Sequence, residues 1–171
     1  LRTTGLSHVF SKIVREDPGI SEATGQPTDE WTVTEESGSC TISRHRVDVE
    51  FVGANPFVRI RGQRAQPGIT RFYYPHCSKD GIHTRSYSSV VYEDLYHGID
   101  CVFHMVDGAF KYDFLIHPGA DPSVICLRYI GADFVMRTES GDLLTMTPLG
   151  HLREHRPVSL QEGRSITTTY A

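Results

Sequence analysis

His76, Cys77 and His83 place nitrogen and sulfur donors within eight residues. These are zinc's preferred ligand types, and a fourth from a neighbouring strand could close a tetrahedron. Their spacing is neither a paired C-x-x-C nor an H-x₃₋₅-H signature, which speaks against a structural metal site. His151 and His155 do carry the H-x₃-H spacing, but the local pattern is strand-like and Pro157 follows. At ~3.3 Å of rise per strand residue the two rings stand well apart, and the signal collapses.

Carboxylates come next. Asp100, Asp113, Asp121 and Asp133 lie near predicted hairpins, and hard oxygen ligands on loops are how many domains hold calcium, yet no D-x-D-x-D-G loop is present. Two acids about 5–10 Å apart would also serve glycoside hydrolysis. The plainer reading is that Asp121 caps a turn while Asp113 faces solvent or pairs with Lys111. No G-x-S-x-G elbow, G-x-G-x-x-G loop or G-x-x-x-x-G-K-[ST] loop occurs, so nucleophilic catalysis and nucleotide binding lack support. Tyr73, Tyr74, Tyr87, Tyr92 and Tyr96 could form a platform for sugar or peptide, or could fill a core edge with satisfied hydroxyls. No catalytic, cofactor-binding or metal residue is assigned, no cofactor is called for, and the chain reads as a non-enzyme.

The elements that must position these residues are strands. Val47, Val49 and Phe51 alternate with Arg46, Asp48 and Glu50, the period of a half-buried strand. Phe110, Tyr112, Phe114 and Ile116 repeat it, and Asp107-Gly108 supplies the positive φ angles of a type I′ turn, so a hairpin joins roughly 100–106 to 109–116. Ser140-Gly141 and Leu149-Gly150 punctuate strands at 143–147 and 151–154, a meander. Leu6 to Val14 reads as a strand, Glu16 to Gln26 as a long loop, and Gly62 to Gly68 as a surface crossover. Asp121-Pro122-Ser123 predicts one helical turn at most. The expected fold is all-β: an antiparallel β-sandwich of many short strands and little helix, with Val49, Phe51, Tyr112, Phe114, Leu127 and Tyr129 inward. Residues 1–38 form an N-terminal strand and loop extension, and 39–171 the sandwich domain.

A net charge of −4 and a pI near 6.1 give no basic stripe for phosphates, so nucleic acid is a poor partner. No apolar run approaches the ~20 residues that span a bilayer. Cys40, Cys77, Cys101 and Cys126 permit three disulfide pairings that sequence does not rank, and free buried thiols are the alternative; Cys126 lies in the apolar Ile125-Cys126-Leu127. A start at Leu1, without a charged-then-apolar leader, leads us to expect a processed or excised fragment. The uncharged, β-branched stretch Ser165 to Tyr170 is expected to pair as an edge strand, within its own sheet or with a neighbouring subunit, the alternative being a linker.

Several segments carry a family resemblance. They are His45-Arg46-Val47-Asp48-Val49-Glu50-Phe51-Val52-Gly53-Ala54-Asn55-Pro56 and Val90-Val91-Tyr92-Glu93-Asp94-Leu95-Tyr96-His97-Gly98-Ile99-Asp100-Cys101-Val102-Phe103. Lys111 to Ser123, Gly131-Ala132-Asp133, Thr147-Pro148-Leu149-Gly150 and Pro157 to Gln161 follow in the same order. Together they resemble the uncharacterised β-rich domain found N-terminal to seven-bladed β-propeller-associated repeats in large exported bacterial surface proteins, many of Bacteroidota type. His97 stands where that pattern has Pro, Cys101 where it has an aliphatic residue, and His104-Met105 where Tyr-Gly is common. The resemblance implies a secreted or cell-surface module without an established reaction. We therefore expect a structural or interaction module of an adhesin, filament or sheath assembly. Its partners would be other domains of the same polypeptide and neighbouring subunits, and glycans are a further candidate. The alternative is an exported glycan-acting hydrolase using a carboxylate pair drawn from Asp100, Asp113 and Asp121, or a carbohydrate-binding domain.

Overall fold

The computed structural model describes residues 3–15, 31–35 and 38–170. Its strands are β1 (Gly5–Arg15), β2 (Trp31–Glu35), β3 (Gly38–Phe51), β4 (Arg59–Ala65), β5 (Thr70–Phe72), β6 (Ile82–Thr84), β7 (Tyr87–Tyr96) and β8 (Ile99–Val106). They continue as β9 (Ala109–Ile116), β10 (Leu127–Ile130), β11 (Phe134–Arg137), β12 (Leu143–Thr147), β13 (Gly150–Glu154), β14 (Ser159–Gln161) and β15 (Arg164–Ile166). The only helical element among the described residues is a 3₁₀ turn at Pro122–Val124. The fold is all-β and sandwich-like, built from several antiparallel sheets. It divides into two compact units, Leu1–Thr4 with Phe51–Leu127, and Gly5–Glu50 with Arg128–Ala171.

The first unit is organised by the antiparallel sheet β4-β7-β8-β9, with β5 and β6 as a separate hairpin. Alternation along β8 buries Ile99, Cys101 and Phe103 on one face and leaves Asp100, Val102 and His104 half-exposed on the other. The buried face is aromatic. Phe103 packs against Tyr92 at 5.1 Å, Phe110 at 5.7 Å, Phe51 at 6.1 Å and Tyr112 at 6.3 Å, and Phe114 closes on both Phe51 and Tyr112. Phe51 is buried as expected, while Tyr112 and Phe114 are half-buried. The β8–β9 turn is the predicted type I′: Asp107 and Gly108 both have positive φ, 50° and 79°.

Gly62 to Gly68 departs from the expected crossover. Residues up to Ala65 belong to β4, which pairs with β7 from Arg59↔Glu93 to Ala65↔Tyr87. As an edge strand it is exposed throughout, so it lacks the apolar alternation that betrays a strand. Backbone hydrogen bonds define it instead. Gly62 is required there because a Cβ would fall 2.5 Å from the Tyr87 ring lying across it.

In the second unit the whole of β1 pairs antiparallel with β3, Gly5↔Glu50 to Arg15↔Cys40; β2 also pairs antiparallel with β3, and β10 is the neighbour of β3 on the side opposite β1. Thus β1, from the expected N-terminal extension, is integral to this sheet. Leu6, Val47 and Val49 are buried, whereas Arg46 and Asp48 pair on the opposite face at 2.6 Å. Leu127 and Tyr129 of β10 are half-buried. The predicted meander is β11-β12-β13. Only Arg164–Ile166 of the C-terminal stretch is strand, in a hairpin with β14. Beyond it, Thr168 Oγ1 donates to Ser159 Oγ, Tyr170 Oη to the His155 carbonyl, and Arg137 Nη1 to the Tyr170 carbonyl, so the tail is tied back by side chains. The predicted loop at Glu16 to Gln26 lies outside the described residues.

Candidate functional site

One end of the first unit gathers polar groups around the β7–β8 turn. Strand β7 bulges between Tyr92, which faces Cys101, and Tyr96, which faces Ile99, and Asp94 sits in the bulge at φ 55°. Asp100 fixes this shape by accepting the Asp94 backbone N–H at 2.7 Å, while the Asp94 carboxylate accepts the Gly98 N–H at 2.7 Å. The second Asp100 oxygen meets His117 Nε2 at 3.1 Å. Asn55 clamps the bulge from β3's continuation, donating its backbone N–H to the Leu95 carbonyl at 2.8 Å and its side-chain amide to the Asp94 carbonyl at 3.3 Å. An open depression of about 530 Å³ adjoins these groups, lined by Asn55, Asp94, Tyr96, His97 and Asp121 among others.

Asp121 caps the 3₁₀ turn through the Ser123 N–H at 2.9 Å, the bond that holds its carboxyl below the usual carboxylate range. Burial raises the Tyr96 phenol, and its hydroxyl donates to the Cys126 carbonyl at 3.2 Å. These carboxylates are occupied in shaping backbone, which is the structural role expected of Asp121.

The half-exposed face of β8 and β9 carries two histidine–carboxylate pairs. His117 meets Asp100, and His104 Nε2 lies 3.6 Å from Asp113. Asp100 and Asp113 are diagonal neighbours on this face, since Asp100 opposes Leu115 and Asp113 opposes Val102. Asp133 belongs to the second unit, where its backbone N–H bonds the Met146 carbonyl at 2.9 Å. Ser89 opposes His104 across β7–β8, completing a serine–histidine–aspartate order over three strands. Its hydroxyl makes no hydrogen bond among the described residues, and the residue is 3% exposed, closed to a substrate carbonyl. No sequence motif announces this alignment, because its members come from three strands.

The histidine and cysteine candidates separate. His76 stacks on Tyr74, while His83 Nε2 donates to the Asp80 carbonyl at 2.9 Å. No group of three or more metal donors occurs among the described residues. All four cysteines are unpaired, with Cys101 buried but Cys126 exposed rather than buried as its apolar neighbours suggested. Burial, followed by Asp113, pushes the Cys101 thiol up to about 12, so it stays protonated. His151 faces Met146 in β13, and His155 lies beyond that strand with Nδ1 3.8 Å from Asp142.

Sequence reasoning missed Asp142. It is 5% exposed and accepts the Arg156 backbone N–H at 2.9 Å, Arg153 Nε and Nη2 at 2.9 and 2.6 Å, and Ser140 Oγ at 3.1 Å. Those bonds, the Arg156 amide first, hold its carboxyl down to about 2. The Ser140-Gly141-Asp142 turn is the available signal, but sequence does not reveal its partners eleven and fourteen residues on.

Of the five tyrosines, Tyr92 and Tyr96 are core, and Tyr87 covers Gly62. Tyr73 and Tyr74 are 64% and 51% exposed, beside Phe72 at 42% and Ile82 at 46%. Phe72, Tyr74 and His76 form a parallel stack, with centroids 6.3 and 5.6 Å apart and planes within 10°.

This outward aromatic surface, beside an inward one of the same composition, is the distinctive feature of the first unit. Residues 4–171 match the domain of unknown function DUF7948. The chain belongs to the DUF7948 family. The match takes in both units of the DUF7948 domain described above, so the exposed hairpin and the buried aromatic face lie inside one family domain. No curated protein and no solved structure matches the chain. Among the described residues, no helix is long and apolar enough to cross a membrane.

Proposed function

We propose that this DUF7948 domain is a structural or interaction module of a large exported cell-surface protein, of the adhesin, filament or sheath kind, and not a catalyst. The observation that carries this reading is the exposed apolar surface of Phe72, Tyr73, Tyr74 and Ile82 on the β5–β6 hairpin. Monomeric domains rarely leave such a surface uncovered unless a partner covers it. The likeness of residues 45–56 and 90–103 to the domain preceding β-propeller-associated repeats in Bacteroidota-type exported proteins supports a multidomain, cell-surface setting. Other domains of the same polypeptide and neighbouring subunits are the partners this reading requires.

Sedimentation equilibrium and cross-linking mass spectrometry on the domain, alone and within its native polypeptide, test it. Cross-links from Lys79, beside the exposed aromatics, to another domain or subunit are the expected result. The glycan-hydrolase alternative predicts turnover of oligosaccharides that an Asp113→Asn variant loses; such turnover would displace the module reading.

A further inference from the structure

Charge is unevenly placed in this chain. Between Arg59 and Arg85 lie six Arg or Lys residues against one Asp, whereas the remainder holds eleven against twenty Asp and Glu. Arg59 and Arg61 are taken by Glu93 at 3.8 and 3.3 Å. Arg71, Lys79 and Arg85 pair with no described carboxylate. These cations sit on or beside the β5–β6 hairpin, every strand residue of which is exposed.

The hairpin has two distinct faces. Phe72 and Tyr74 share the face of the parallel stack, while Arg71 and Tyr73 share the other, where His83 is the cross-strand partner of Arg71. Tyr73 lies against Gly81: a Cβ there would come within 3.1 Å of the ring atoms Cδ1 and Cε1. The glycine lets one side of the ring rest on backbone, and the residue stays 64% exposed. His83 is held by its bond to the Asp80 carbonyl. An aromatic plate is thus fixed beside an imidazole and a guanidinium that has no carboxylate partner among the described residues.

We infer that this face binds an acidic polysaccharide, with the C–H face of a sugar on Tyr73 and its carboxylate on Arg71, while Lys79 and Arg85 add attraction. The inference rests on the interaction-module reading and names a ligand for it. Nucleic acid fits less well. It presents a phosphate every ~1.7 Å of duplex axis, or ~3.4 Å per strand, against a chain that is acidic outside this segment, and single strands need successive stacking rings where this face has one. An acidic peptide would satisfy the cations and leave the ring without a flat partner. A polyuronate carries no more than one carboxylate per sugar and offers that flat face.

Isothermal titration of the whole domain with size-defined oligogalacturonate, at about 0.15 M salt, tests the inference. Methyl-esterified oligogalacturonate, polyglutamate and poly-dT serve as comparators. Saturable binding is expected for oligogalacturonate, weakened about tenfold or more by Tyr73→Ala or Arg71→Gln and less than about twofold by Tyr74→Ala on the opposite face. Tyr73→Phe keeps the plate and should keep the affinity, which guards against a misfolded Tyr73→Ala. Absence of binding overturns the inference, as does equal affinity for polyglutamate or poly-dT, or insensitivity to Tyr73→Ala. If oligogalacturonate fails while cross-links to partner domains persist, only the ligand assignment falls; if cross-links are absent as well, the module reading falls with it.

Discussion

The hairpins β8–β9 and β5–β6 are both rich in aromatic residues at period two, yet one turns its rings inward and the other outward. Phe103, Tyr112 and Phe114 are clustered with Phe51 and Tyr92, and the strands that carry them run eight residues each inside a four-stranded sheet. Phe72, Tyr73 and Tyr74 belong to a ribbon with three-residue strands that joins no larger sheet. A two-stranded ribbon is marginal alone in water, so its rings stack on one another and rest on Gly81 rather than enter a core. Periodicity shows which rings share a face. Whether that face is covered depends on the other strands of the sheet.

Removing one ring from each hairpin breaks the comparison most sharply. Phe103→Ala should destabilise the domain by about 3–5 kcal/mol, as for a fully buried aromatic, whereas Tyr74→Ala should change stability by less than about 1 kcal/mol; urea denaturation reads both. Similar losses for the two would mean the hairpin rings are part of the core.

Polar groups extend the contrast to the second unit, where Asp142 is as fully engaged as Phe103. Asp142→Asn should lower Tm by about 5 °C or more, because the Arg153 guanidinium loses its charged partner. The folded carboxyl titrates near 2, below its usual value of 3.8. Its contribution is therefore complete above about pH 4 and lost as pH falls toward 2. Thermal melts across that window should converge for wild type and variant. A constant difference would assign the loss to shape instead of charge.

The smallest expected effect is chemical. Cys101 lies in the buried aromatic face with its thiol pushed up to about 12, while Cys126 is exposed. A thiol reagent at about pH 8 should label Cys126 in the native domain and reach Cys101 only after unfolding, leaving stability unchanged. Rapid native labelling of Cys101 would show that this face opens.

Much of this contrast was legible in the sequence, for local reasons. Asp107-Gly108 sets its own turn, Asp121-Pro122 its own cap, and Val47, Val49 and Phe51 their own strand, because each signal spans only a few residues. Features that rest on distant partners were not legible. Strand β4 depends on β7, Asp142 on Arg153 and Arg156, and the Ser89–His104–Asp113 alignment on three strands. The candidate site was half legible: the tyrosines stood out by type, but only the fold separates exposed Tyr73 and Tyr74 from buried Tyr92 and Tyr96.

Hydroxyl-radical footprinting of Tyr73 and Tyr74, in the isolated domain and in its native assembly, tests the central claim most directly. Covered interaction surface predicts rapid oxidation of both rings in the isolated domain, with Tyr92 protected, and strong protection in the assembly of Tyr74, on the face opposite the Arg71–Tyr73 site. Equal, rapid oxidation of Tyr74 in both samples would contradict it.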